Sequence, residues 1–194
     1  MPDLLLLRHG ESEWNRLHRY QGLADPALTA LGEEQARLAA EVLTGVERVA
    51  SSDLKRARRT AELLAAALDT GSVVIEPGLR ERDTGEWTGL TKEEIERRWP
   101  NGTADHPAGW EHDDAVLARV EPALRRLAAV APCTVAVTHA GVIRAVERRS
   151  GQPWEPLANL AGRWVHVDGD GLRLGERVVL IDPDDERLTV PLET

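Results

Sequence analysis

Two histidines, two arginines and one carboxylate stand out in this sequence by where they fall. Arg8-His9-Gly10-Glu11, Ser51-Ser52-Asp53-Leu54-Lys55-Arg56-Ala57, Leu79-Arg80-Glu81 and Thr138-His139-Ala140-Gly141 put ionisable side chains just after, or in a loop near, the end of an expected strand. In open α/β sheets that end is where ligands bind. Arginine supplies a fixed charge and a fork of donors matched to phosphate oxygens. A neutral histidine is a nucleophile, and a protonated carboxyl group can hand a proton to a leaving oxygen. Brought together, these side chains suit phosphoryl transfer that needs no metal.

Such a site needs strands and helices to hold it. Leu4 to Leu7 is a short apolar run that fits a buried strand. Thr29 caps a helical pattern through Leu31, Gln35, Leu38, Ala39, Val42 and Leu43, closed by Gly45. Val46 to Ala50 reads as a second strand, and Ser51-Ser52-Asp53 offers caps for a helix through Leu54, Ala57, Ala61, Leu64 and Leu68. Val73 to Ile75 is a third strand, followed by an irregular stretch from Pro77-Gly78 that carries Glu81. Thr91 with Glu94 is a capping-box signature for a short helix ending before Pro100.

Asn101 to Gly109 is a polar loop, and a helix from about Asp113 to Val130 lines up Val116, Val120, Leu124 and Leu127. Thr134 to Val137 feeds His139 and a helix to about Arg149. Trp164 to Val167, Leu172 to Leu174 and Val178 to Ile181 read as closing strands, with a hairpin turn at Asp168-Gly169-Asp170-Gly171. Strands alternating with helices predict a three-layer α/β/α sandwich around a mostly parallel sheet, in a single domain over 1–194.

Composition narrows the partners. With a net charge of −9, the chain lacks the basic surface that nucleic-acid binding requires. No apolar run approaches the roughly 18 residues of a membrane span, and Asp3 stands where a signal peptide carries basic residues. The expectation is a cytoplasmic protein acting on a small-molecule phosphoester, with no nucleic acid and no membrane. The lone Cys133 cannot form an internal disulfide, and lying six residues before His139 it does not match a cysteine-phosphatase loop. The absence of G-x-x-x-x-G-K-[ST] excludes a nucleotide P-loop.

Arg8-His9-Gly10-Glu11 after an apolar strand resembles the signature of the histidine phosphatase superfamily, in its phosphoglycerate mutase-like branch. The likeness runs in order through Trp14-Asn15, Gln21-Gly22, Leu28-Thr29, Gly32, Gln35-Ala36, Ser51-Ser52-Asp53-Leu54, Arg56-Ala57 and Thr60-Ala61-Glu62. It continues in Leu79, Glu81, Gly85, Trp87 and Gly89 and ends in Thr138-His139-Ala140-Gly141, about three-quarters of the chain.

The resemblance implies that His9 is the nucleophile and becomes phosphohistidine. Arg8, Arg56 and His139 would cradle the phosphoryl group, and Glu81 would be the general acid. Asn15, Gln21 and Gly22 would approach the phosphoryl group or the substrate, and the helix start at Ala140 and Gly141 could add N–H donors. No cofactor and no metal are expected. Two neighbouring arginines would hold His9 neutral, which attack requires. The implied activity is that of a phosphoric monoester hydrolase of the histidine acid phosphatase type.

Other readings compete at several positions. Arg56 sits among Lys55, Arg58 and Arg59, where a solvated face is the usual explanation, and Asp83 and Glu86 rival Glu81. Register with the family pattern favours Arg56 and Glu81. His106, His112, Asp113 and Asp114 lack ligand spacing for a metal, and Asp168-Asp170-Gly171 lacks the later ligands of a calcium loop. Trp87, Trp99 and Trp110 fit either a cleft wall or a core without phenylalanine.

Mutases of the family resemble this chain in the core but carry longer insertions. Here only 57 residues separate Glu81 from His139, which favours hydrolysis. Gly85-Glu86-Trp87-Thr88-Gly89 also resembles the phosphatase branch, whereas Gly109-Trp110-Glu111-His112 departs from the Gly-Glu-Ser segment of many relatives. Phosphoglycerate mutase-type transfer is the first alternative, and a non-catalytic phosphoester-binding relative is the second. No family signature follows Gly151.

Overall fold

The structure is a computed structural model and describes residues 3–100, 106–168 and 171–181. Strand β1 (Asp3–Arg8) carries the leucine run, and all four leucines are fully buried. Because successive side chains of a strand point to opposite faces, Leu4 and Leu6 enter one core and Leu5 and Leu7 another. Each such leucine contributes roughly 1.5–3 kcal/mol of burial. Only a strand covered on both faces can bury all four.

Helices α2 (Ala30–Val42) and α3 (Lys55–Leu68) supply the second face, through Leu38, Ala39, Ala57, Ala61 and Leu64. Helices α5 (Asp113–Ala128) and α6 (Ala140–Arg149) cover the first, through Val116, Val120, Leu124, Val142 and Ile143. The three layers expected from the sequence are therefore present. Around them lie the one-turn α1 (Glu13–Arg16) and α4 (Lys92–Arg98), whose Thr91–Glu94 capping box forms as expected.

The sheet has the order β3-β2-β4-β1-β5-β6, with β2 (Arg48–Ser51), β3 (Val74–Ile75), β4 (Cys133–Thr138), β5 (Ala161–Val167) and β6 (Leu172–Val179). The first four strands run parallel, whereas β5 and β6 form an antiparallel ribbon beside β1. Leu172 to Leu174 and the start of Val178 to Ile181 are one continuous strand, not two. The register shift at Arg163/Val165 lets the ribbon absorb the irregularity without breaking.

Asp168 still closes the β5–β6 turn, since its Oδ1 accepts from Gly171 N at 2.9 Å. Residues 169 and 170 of that turn, and 101–105 of the expected polar loop, lie outside the described residues. Among the described residues, no helix is long and apolar enough to cross a membrane.

One sequence expectation is corrected at α3. Neither Ser51, Ser52 nor Asp53 caps it; the N-terminus is served by Asp25, whose Oδ1 accepts from Lys55 N at 2.7 Å. The three expected caps have other partners: Ser51 Oγ donates to Ser52 O, Ser52 holds His139, and Asp53 pairs with Arg80.

Candidate active site

Strand register does the first assembly step. Arg8 pairs with Thr138 across β1 and β4, so the residues that follow, His9 and His139, emerge side by side. Their rings meet edge to face with centroids 5.2 Å apart. Ser51 pairs with Val137, which brings Ser52 to the same edge.

Helix α2 closes on the loop after β1 almost backbone to backbone. A Cβ on Gly10 would lie 2.4 Å from Gly32 O, and one on Gly32 would lie 2.0 Å from Glu11 O. Only glycine fits both sides of that approach.

His9 is 3% exposed. Its Nδ1 lies 2.7 Å from Gly10 O, and because a carbonyl only accepts, Nδ1 carries the proton. The lone pair is therefore on Nε2, which accepts from Arg56 Nε at 3.2 Å. Burial, then the charges of Arg56 and Arg8, holds the imidazole well below its ordinary pKa of 6.5. The ring is neutral at physiological pH, as the sequence led one to expect.

Arg56 is fully buried at the start of α3. It donates to Ala24 O at 2.6 Å and Gly22 O at 2.9 Å, and burial lowers its pKa to about 10. Arg8 donates to Leu157 O and is likewise lowered to about 10, by burial first and then by Arg144. Both guanidinium groups remain charged at neutral pH.

His139 is fully buried, and Ser52 Oγ holds its Nε2 at 2.8 Å. Its Nδ1 has no hydrogen-bond partner. Burial, then Arg56 and His9, lowers its pKa well below 6.5 as well.

Glu81 occupies the same cleft. Its Oε1 accepts from Arg82 N at 2.8 Å and its Oε2 from Gly141 N at 3.2 Å. The neighbouring arginine side chains pair with other acids, Arg80 with Asp53 and Arg82 with Asp113. Arg119 of α5 clamps this loop from below by donating to Gly78 O, Arg80 O and Glu81 O at 2.8, 2.7 and 3.1 Å.

The structure thus brings Arg8, His9, Arg56 and Glu81 into one cleft of about 330 Å³, with the fully buried His139 packed edge to face against His9 behind its wall. Asn15, Gln21, Gly22, Ala140 and Gly141 also line it, but their polar groups are largely engaged in scaffolding. Gln21 Oε1 accepts from Ser12 Oγ, Asn15 Oδ1 accepts from Ser12 N, Gly22 O holds Arg56, and Gly141 N holds Glu81.

Sequence reasoning missed four contributors. Leu157 O and Asn159, which donates to His9 O at 2.8 Å, come from the stretch after Gly151 that carries no signature. Arg144 and Trp154 also line the cleft. Among the tryptophans, Trp87 belongs to the buried interior, whereas Trp110 faces the cleft and stacks on His106 at 4.4 Å.

Among the described residues, no group of three or more His, Cys, Asp or Glu side chains could hold a metal ion. Asp113 is instead shared between Arg82 and Arg148. Burial, then Asp3, pushes the Cys133 thiol up, as suits an inert structural cysteine.

The chain is similar to known proteins in sequence and in fold. A metal-independent phosphoserine phosphatase of Arabidopsis thaliana is 32% identical over 94% of this chain and 80% of its own length. A phosphoglycerate mutase-like protein of the same plant is 32% identical over 87% of this chain and 81% of its own. A mycobacterial glucosyl-3-phosphoglycerate phosphatase, solved in complex with VO3, superposes with a TM-score of 0.77 at 29% identity, covering 90% of this chain and 97% of that one. The family model of the histidine phosphatase superfamily (branch 1) matches residues 4–169, and this chain belongs to that family.

Proposed function

We propose that the protein is a metal-independent phosphomonoester hydrolase that acts on a small phosphorylated metabolite through a phosphohistidine on His9. The observation that carries this reading is the state of His9. It is neutral, its Nδ1–H is committed to Gly10 O, and its Nε2 lone pair lies against Arg56. That combination is what a nitrogen nucleophile for phosphorus requires.

In the first step Nε2 attacks phosphorus and the ester P–O bond breaks. Arg8, Arg56 and the unpartnered Nδ1 side of His139 stabilise charge on the phosphoryl oxygens, and Glu81 gives its proton to the leaving oxygen. In the second step water attacks phosphorus and Glu81 takes its proton. The P–N bond then breaks and inorganic phosphate departs. The phosphatase names of two relatives support hydrolysis over transfer, and so does the short connection between Glu81 and His139.

The test is release of phosphate from an aryl phosphate with and without a chelator, beside His9→Ala. Turnover that ignores the chelator and falls by at least about 10³-fold in the variant is expected. Chelator-sensitive turnover would overturn the mechanism, and no turnover at all would favour a phosphoester-binding relative. Feeding 3-phosphoglycerate separates the mutase alternative, which the mutase-like relative keeps in view: 2-phosphoglycerate would accumulate in place of free phosphate.

A further inference from the structure

His9 is aimed through the backbone that follows it. The Gly10–Glu11 peptide is a rigid plane, with Gly10 O on one edge and the Glu11 N–H on the opposite edge. Gly10 O accepts from His9 Nδ1 at 2.7 Å, which leaves the lone pair on Nε2. On the other edge, Glu11 N donates to Gln35 Oε1 at 2.8 Å. A side chain of α2 therefore aims the carbonyl that sets the His9 tautomer.

Helix α2 reaches this peptide because Gly10 and Gly32 come together without Cβ atoms. Gln35 stands three residues after Gly32, on the same side of the helix. The close approach also has a cost in order. A residue without a Cβ has the freest backbone of any, so the peptide planes beside Gly10 need outside partners to keep one orientation. The preceding plane has Asn159, which donates to His9 O at 2.8 Å, and the buried Thr60 Oγ1, which accepts from Gly10 N at 3.1 Å. The following plane is held by His9 on one edge and by Gln35 on the other.

The second effect is electronic. An N–H that donates polarises its own peptide and makes the carbonyl across it a stronger acceptor. Gln35 thus strengthens the bond from Nδ1–H to Gly10 O, and with it the electron density at Nε2. Hydrolytic triads give the task of orienting the imidazole to a carboxylate. Here a backbone peptide orients it, and Gln35 is the group behind that peptide.

We propose that Gln35 is a positioning residue for the reaction, orienting and polarising the peptide that fixes His9 as a nucleophile. This rests on His9 being the nucleophile, as in the phosphatase reading.

The experiment compares Gln35→Met, of similar shape but without the acceptor, with Gln35→Glu, which keeps an acceptor and adds charge. The first readout is the NMR resonance of the His9 Nδ1–H proton, assigned by its absence from His9→Ala protein. It should move upfield in Gln35→Met and downfield in Gln35→Glu. The second is kcat/KM on p-nitrophenyl phosphate and glycerol 3-phosphate. Both esters need the same nucleophile, so Gln35→Met should lower both by one factor of about ten, the worth of a neutral hydrogen bond. Gln35→Glu should stay within a few-fold of the unmodified protein. A side chain that only packed α2 onto the loop would lower Tm and leave the proton and the kcat/KM of folded protein as they are.

An unmoved Nδ1–H resonance in Gln35→Met, a kcat/KM that does not fall there, or a fall confined to one ester overturns the positioning role while the phosphatase reading stands. Should Gln35→Met fail to fold, Gln35→Glu decides by direction: a downfield shift sustains the role, and no shift or an upfield one overturns it. If the unmodified protein turns over neither ester, the phosphatase reading falls, and the resonance alone decides whether Gln35 orients His9.

Discussion

Gly141→Ala tests the role of Glu81 without touching its carboxyl group. A Cβ at position 141 would stand 2.2 Å from Glu81 Oε1 and 2.9 Å from Arg82 Nε, and real Cβ contacts begin above 3.0 Å. The carboxylate must retreat by about 1 Å, a displacement that can cost on the order of 100-fold when it falls on a reacting group. In stability the effects oppose each other. Overpacking costs about 1–3 kcal/mol, while replacing a helical glycine recovers about 0.5–1 kcal/mol. The net loss of about 1 kcal/mol lowers Tm by roughly 2–4 °C, so the variant stays folded at the assay temperature.

The assay is kcat/KM on two esters, because that ratio reports the steps through P–O cleavage. Glycerol 3-phosphate, whose alkoxide needs the proton, should lose roughly 100-fold. p-Nitrophenyl phosphate, whose phenolate leaves without one, should lose only a few-fold. An equal loss on both esters would show that the displaced carboxylate does not protonate the leaving oxygen. No loss on either, with Tm lowered, would remove Glu81 from the first step altogether.

Three further outcomes follow from the same geometry. His9 and His139, and to a lesser degree His106, are lowered below 6.5 chiefly by burial, so unfolding takes up protons below that pH. Stability is full above about pH 6.5 and falls as the pH drops below it, by at most roughly 4 kcal/mol per unit for the three rings together. The depressed carboxylates Glu33 and Asp53 act only below about pH 4.5, so urea titrations at pH 7.5 and 5.5 isolate the histidines, and His139→Gln should lower the slope by at least about a third. Ser52→Ala removes the partner that fixes the His139 tautomer, and about a tenfold drop in kcat/KM is expected with Tm within a few degrees; an unchanged kcat/KM refutes the positioning. Glu147→Gln leaves Arg163 and Arg177 without their buried carboxylate, at about 3 kcal/mol in chemical denaturation, while kcat stays as it is in the folded fraction.

Legibility in the sequence followed the range of the interactions. Leu4 to Leu7 announced a doubly covered strand because the pattern is local, and so did the caps at Thr29 and Thr91. The meeting of His9 with His139 depends on the pairing of Arg8 with Thr138, 130 positions apart, and only the family pattern made it foreseeable. Ser52 shows the opposite case. Its position before α3 is that of a helix cap, but His139, delivered by β4, competes for the hydroxyl and takes it. Asp25, remote in sequence, supplies the missing cap. Leu157 could not be found at all by residue type, since it serves Arg8 through its carbonyl. Arg144 is one of three arginines on α6, with Arg148 and Arg149, and no motif in the sequence sets it apart from them.

The same distinction between paired and unpaired arginine resolves an apparent conflict between a chain of net charge −9 and an anionic substrate. On the surface acids and arginines are matched closely: Glu33 with Arg37 and Arg59, Asp53 with Arg80, Glu76 with Arg126, Asp113 with Arg148. Such pairs cancel at short range, and the remaining exposed charge is screened within about 10 Å at 0.1 M salt. Arg8, Arg56 and Arg144 lie in a partly desolvated cleft where screening is weak, and none of them has a salt bridge among the described residues. Their field is focused there, whatever the sum over the chain. Net charge therefore describes the outside of this protein, while the guanidinium groups that lack an acid describe its chemistry.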